Sequence, residues 1–197
     1  MSSQLQAIVR TLELRTPAQP LTPVNVWDEE LDRRISSLTE EDLPIGRGGR
    51  ETLDTVKAGL HLWNDNLFAS HELVQNIDTP TGSYWHGIMH RMEGDYPNAK
   101  YWFRQTGRHP AMIRLIREAS AWLKTEAGLF DMPESEGRAG LMKLAAESEW
   151  NPYWFVDLVE LLESGRADRS LRPILEHIQQ LEIKALIEST IFGDPAG

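Results

Sequence analysis

Residues 58–71 read AGLHLWNDNLFASH and residues 86–99 read HGIMHRMEGDYPNA. Laid over one another at an offset of 28 residues, Gly59 meets Gly87, Asn66 meets Gly94, Phe68 meets Tyr96 and His71 meets Ala99. Each copy is a helical run, a turn (NDNLF at 64–68, GDYPN at 94–98) and a second helical run. A small residue at Gly59 or Gly87 allows two helices to approach closely. Asn or Gly in the turn tolerates positive φ, and the aromatic behind it plugs the gap between the helices. The spacing predicts two similar helical hairpins that press aromatic and imidazole faces inward.

Outward from this pair the period stays helical. Leu53, Val56, Leu60 and Trp63 share one face ahead of the first turn, and Thr79-Pro80 is a helix-start signal leading to Trp85 and Met89. Beyond Pro110, residues 111–126 place Met112, Leu115, Ile116, Ala119, Trp122 and Leu123 at the i, i+3, i+4, i+7 spacing of a helix with one buried face. A Gly/Pro/acid-rich loop follows at 128–137, then a short helix from about Leu141 to Ala146. Asn151-Pro152 caps YWFVDLVELL, which is apolar nearly all round and reads as a central buried helix, and a last helix runs from about Ser170 to Thr190. On the N-terminal side, Leu5, Ile8, Val9 and Leu12 form a short docking helix. Pro17, Pro20 and Pro23 extend the chain after it, WDEELDRRISSL is a second short helix and 43–50 is a loop. Nothing alternates with period two, so no sheet is expected. The expectation is an all-α compact bundle of about seven to nine helices, with an N-terminal arm at 1–50 and a single helical domain at 51–197. That domain comprises the hairpins at 51–110 and C-terminal helices at 111–190.

The second unit resembles the tetratricopeptide repeat. Gly87, Gly94, Tyr96, Ala99, Phe103 and Pro110 fall at or within one residue of where that motif puts Gly, Gly, Tyr, Ala, an aromatic and Pro. The first unit matches in part, with His71 in place of the Ala and Asn66 in place of the turn Gly. Two units are fewer than the three or so that a solenoid needs, so repeat-like hairpins inside a compact bundle are expected rather than an open superhelix. The segment GLHLWNDNLFASHELVQNI is also similar to an uncharacterised bacterial all-helical family, the domain of unknown function 309, through Gly59, Trp63, Asn64, Phe68, His71 and Glu72. This resemblance covers about residues 52–110; it implies a fold and brings no activity with it.

Composition narrows the function classes. A formal charge of −10 and a pI near 5.1 oppose an extended duplex-DNA or anionic-membrane surface. With no cysteine, disulfides, thiolate zinc sites and cysteine nucleophiles are all excluded. The segment MSSQLQAIVRTLELR lacks a secretory pattern, and no window approaches a membrane span. The expected location is the cytoplasm.

Three side-chain groupings carry candidate chemistry. His86, His90 and Glu93 fall within an arc of about 60° on a helix, and the hairpin packing brings His71 and Glu72 toward them. Together these would ligate zinc, iron or manganese. The alternative is a polar core in which each imidazole is hydrogen-bonded to a neighbour. Gly87 stands where a zinc-protease helix would carry its general base. Ser70, His71 and Glu72 are consecutive and point about 100° apart, so they form no triad among themselves. The GRGGR loop at 46–50 lacks the Lys-Ser/Thr of a phosphate loop and follows no predicted strand.

Residues 84–124 hold seven Lys/Arg against three acids, interleaved with aromatics, while 128–163 hold eight acids against two bases. This polarity either binds an anion or single strand, or pairs its two halves within the chain or across a homodimer. The leading functional expectation is a helical module, without a cofactor, that binds a protein or peptide through Trp85, Tyr101, Trp102 and Arg104. A metal-dependent enzyme using the histidine cluster is the alternative, and a nucleic-acid or anionic-ligand binder is the third.

Overall fold

The computed structural model describes residues 1–46 and 48–193. Among them are ten α-helices, three short 3-10 helices and no strand, so the chain is all-α with slightly more helices than expected. Arg47, in the middle of the GRGGR stretch, lies outside the described residues.

The N-terminal arm is part of the one core and no separate appendage. In α1 (Ser3–Glu13), Ser2 caps Leu5, and Leu5, Ile8 and Leu12 fall on a single face with no solvent exposure. Burying each such side chain contributes roughly 1.5–3 kcal/mol. α2 (Glu29–Ser36) is capped by Asp28, carries three acids in its first turn, and buries Leu31 and Ile35. Between them Arg15 makes a bidentate pair with Asp65, at 2.8 and 3.1 Å. Gln19 donates to Leu62 O at 2.8 Å and to Asp65 Oδ1 at 2.7 Å. The proline-rich linker is thereby clamped onto a turn of the first hairpin.

That hairpin is α3 (Arg50–Trp63) and α4 (Leu67–Val74); the second is α5 (Pro80–Glu93) and α6 (Tyr96–Thr106). In the second, His90 lies beside Asn98 and His86 beside Trp102, so one helix rises as the other descends.

The two turns do not superpose at the offset of 28 read from the sequence. Asp65 (φ 65°), and not Asn66, takes the left-handed position that Gly94 (φ 81°) takes in the second turn. Asn66 (φ −90°) is instead the N-cap of α4, as Asp95 is of α6, which makes the structural offset 29 residues. Leu67 then corresponds to Tyr96 and Ser70 to Ala99. Phe68 is 76% exposed and plugs nothing, while Ser70 and Ala99 are both fully buried between helices. The two glycines also serve different contacts. A Cβ on Gly87 would meet Phe103 of the same hairpin at 2.8 Å, whereas one on Gly59 would meet Trp85 of α5 at 2.5 Å and Ile187 at 2.8 Å.

The remaining helices are α7 (Ala111–Thr125), α8 (Glu136–Ala146), α9 (Pro152–Glu163) and α10 (Arg172–Phe192). α8 starts five residues before Leu141 because Ser135 caps it and Glu136 sits in its first turn. α9 buries Phe155, Val156, Leu158, Val159, Leu161 and Leu162 but leaves Asp157 exposed. The longest helix, α10, packs on α3, α7 and α9 and is the more central of the two. It carries Glu182, fully buried and 2.5 Å from the fully buried Arg91 of α5. Tyr84 donates to the same carboxylate at 3.1 Å, and the Arg91 guanidinium lies 4.5 Å over the Phe155 ring.

Candidate metal centre

The one-residue difference in register decides where His71 points. Since Ser70 fills the small-residue position against the core, His71 turns toward α5 and meets His86 and His90 there. Ring centroids are 5.0 Å apart for His71 and His86, 5.8 Å for His71 and His90, and 4.8 Å for His86 and His90. One ring nitrogen from each imidazole lies within 4.8 Å of the other two. His86 and His90 are buried and His71 is half-buried, so the cluster opens to solvent on the α4 side.

His86 and His90 are held differently. His86 stacks on the Trp102 indole at 3.8 Å and 14°, and its Nδ1 is buried without a hydrogen-bond partner. Burial, reinforced by repulsion from His90 and His71, pushes its pKa down to about 3. His90 is also pushed down by burial, against the pull of Glu93, whose Oε2 lies 3.0 Å from His90 Nδ1. Asn98 Nδ2 sits 3.1 Å from His90 Nε2. With Nδ1–H donating to Glu93, Nε2 keeps its lone pair and accepts from Asn98. At neutral pH the pair on α5 is therefore uncharged, the form in which imidazole ligates metals.

The other expected site residues separate. Glu72 is exposed and accepts from Gln75 Nε2 at 3.0 Å, so it does not join the cluster; it lies on the solvent side of α4. Glu93 reaches the cluster only through His90. Trp85 is fully buried under Gly59, which removes it from any binding surface. Trp102 is half-buried with one face covered by His86, whereas Tyr101 and Arg104 are exposed on α6. Ser70 is fully buried and unavailable as a nucleophile. Asn98 was not singled out by sequence. The signal for it is the antiparallel pairing across the 94–95 turn, which sets position 98 opposite 90.

The basic stretch is not a continuous patch. Arg91 is in the core, Arg108 pairs with Glu149 at 3.2 Å, Lys100 pairs with Asp157 at 2.5 Å, and Arg114 pairs with both Glu118 and Glu188. Lys100 and Arg108 thus pair with acids of the 128–163 stretch, whereas Arg91 and Arg114 reach Glu182 and Glu188 of α10. Among the described residues no helix is long and apolar enough to cross a membrane. Another buried histidine, His61 of α3, is paired with Asp32 at 2.7 Å, and that carboxylate also accepts from Asn64 at 3.3 Å and Asn66 at 2.9 Å. His61 is structural, tying α2 to the first turn. No family model matches the chain, and no match is found among curated proteins or solved structures.

Proposed function

We propose that this protein binds a divalent transition metal, zinc by preference, through His71, His86 and His90, as an open metal centre in a helical protein. The observation that carries this reading is the convergence of three imidazoles from two helices within 4.8 Å, two of them buried and neutral. A set of nitrogen ligands without thiolate suits zinc, with iron next; manganese prefers more oxygen ligands. Zinc–nitrogen bonds of about 2.0–2.1 Å place tetrahedral ligands roughly 3.4 Å apart, so loading draws the ligand nitrogens together by about 1.4 Å at most. Glu93 fits as the outer carboxylate that fixes the His90 tautomer, and Asn98 yields the His90 lone pair to the ion.

Three protein ligands leave a coordination position for water, the arrangement of catalytic rather than structural zinc. A zinc-bound water ionises near neutral pH, which points to hydrolysis or hydration as the reaction class. Elemental analysis of protein purified without a histidine tag tests the reading. One zinc or iron per chain is expected, and it is lost in His86→Ala and also in His71→Ala. The half-buried His71 can be removed with little risk to folding. Absence of stoichiometric metal after equilibration with zinc, or full retention by His71→Ala, rules the site out.

A further inference from the structure

Far from the histidine cluster in sequence, α7 and the segment 147–150 enclose an open groove of about 810 Å³. Its base is apolar: Met112, Ile116 and Trp150 are buried there, and Ile113, 74% exposed, stands at its edge. The sequence periodicity accounts for the buried face of α7 but not for this outer stripe. Ile113, Arg117, Ala121 and Lys124 recur along the exposed side of the helix over roughly 17 Å at ~1.5 Å per residue.

The charges on the two walls differ in sign. On the α7 wall, Arg117 comes no closer than 3.9 Å to Glu118, and Lys124 forms no ion pair among the described residues. These two cations are seven residues apart, two helical turns and roughly 10 Å, on one line along the groove. The opposite wall carries Glu147 and Glu149. At one end Arg108 and Glu149 pair across the mouth, but both side chains are mostly exposed. Such a pair contributes little and opens easily.

An apolar floor between one basic and one acidic wall is the negative of an amphipathic helix with charged edges. A small anionic amphiphile matches only the α7 wall and is repelled by Glu147 and Glu149. A second copy of this chain brings a net charge of −10 against another −10. We infer that the groove along α7 docks an amphipathic helix of a partner polypeptide. Its apolar i, i+3 or i+4, i+7 side chains fill the floor, acids seven residues apart face Arg117 and Lys124, and its other edge is basic. This surface stands independently of the metal reading, and bound zinc is not expected to alter it.

Selection of short randomised helical peptides displayed against the purified full chain tests the inference. Counter-selection uses Arg117→Glu/Lys124→Glu, both exposed positions whose fold is checked by circular dichroism. Enriched sequences are expected to share the apolar spacing and two Asp/Glu seven residues apart. A synthetic peptide of that consensus should bind the natural chain at least ten-fold tighter than either the double variant or Ile113→Asp. The inference is overturned by no enrichment, by a consensus without the acidic pair, or by a peptide that binds the double variant equally well. It is also overturned by a dimer in sedimentation that Ile113→Asp dissolves, since a second copy would then occupy the groove.

Discussion

His90 is the imidazole with the most complete surroundings, and its partners set its use. An imidazole whose Nδ1–H is committed to a carboxylate can offer only Nε2, and offers it as a stronger base. Glu93→Gln keeps an acceptor near Nδ1 but removes the charge. Zinc affinity should fall about 10–100-fold, read by competition with a chromophoric chelator. The melting temperature of metal-free protein should stay nearly constant, because the Glu93 side chain is 41% exposed and its pair is weak. Unchanged affinity would remove Glu93 from the site. Acid sensitivity follows from His86. In the native protein it takes a proton only near pH 3, whereas an unfolded imidazole takes one near about 6.5. Unfolding binds that proton throughout the interval, so stability is complete above about 6.5 and declines as pH falls toward 3. Melting curves of metal-free protein from about pH 8 to about pH 4 should show this decline, and a shallower one for His86→Phe, which keeps the stack on Trp102 and has no proton to bind. Equal slopes would mean that His86 is not the group responsible.

Among the helices, what could be read beforehand was period and punctuation. The buried faces of α1, α3 and α7, the Asn151-Pro152 start of α9 and the two turns all follow from local chemistry, and all lie where the periodicity puts them. The register between the hairpins did not follow, for a physical reason. Gly59 and Gly87 look equivalent as letters, yet one yields to α5 and α10 and the other to α6, and only tertiary contacts distinguish these. From that slip came the misplacement of Phe68 and the hidden role of Ser70. The same slip concealed why His71 faces the cluster. The glycines give a graded test. Gly87→Ala pushes a methyl against the Phe103 ring at 2.8 Å and should cost about 1–3 kcal/mol. Gly94→Ala meets no atom within 4 Å but must hold φ at 81°, costing about 1–2 kcal/mol from backbone strain alone. Because Gly87 lies between His86 and its neighbours on α5, its alanine variant should also weaken zinc binding, whereas Gly94→Ala should not. Chemical denaturation and chelator competition on both variants would expose an error if the two behaved alike.

Across the whole molecule, the feature least visible in the sequence is the charge at its centre. Arg91 reads as one more base in a basic stretch and Glu182 as one more acid on an amphipathic helix, since nothing local marks a charge that will be buried. The structure brings them to 2.5 Å of one another with no exposure of either side chain, bonded further to Tyr84 and Gln179. Gln179 in turn donates to Pro20 O at 3.1 Å, so the network ties the second hairpin, α10 and the N-terminal linker together. Arg91 Nε and Nη1 still find no partner among the described residues, so the desolvation of the guanidinium is incompletely offset. Two opposite expectations follow for single and double replacement. Arg91→Met strands the Glu182 carboxylate in an apolar interior and should cost about 3–5 kcal/mol, as should Glu182→Leu for the stranded guanidinium. Replacing both removes two uncompensated desolvations and leaves shapes that pack against Phe103 and Phe155. The double variant should therefore recover most of the loss, and by the same reasoning can equal or exceed the natural chain in stability. A denaturation cycle over the four proteins measures this as a coupling of several kcal/mol. If the double variant is instead as unstable as the sum of the single ones, the pair is not acting as a pair, and the centre is held by the separate contacts of Arg91 with the aromatic rings and of Glu182 with Tyr84.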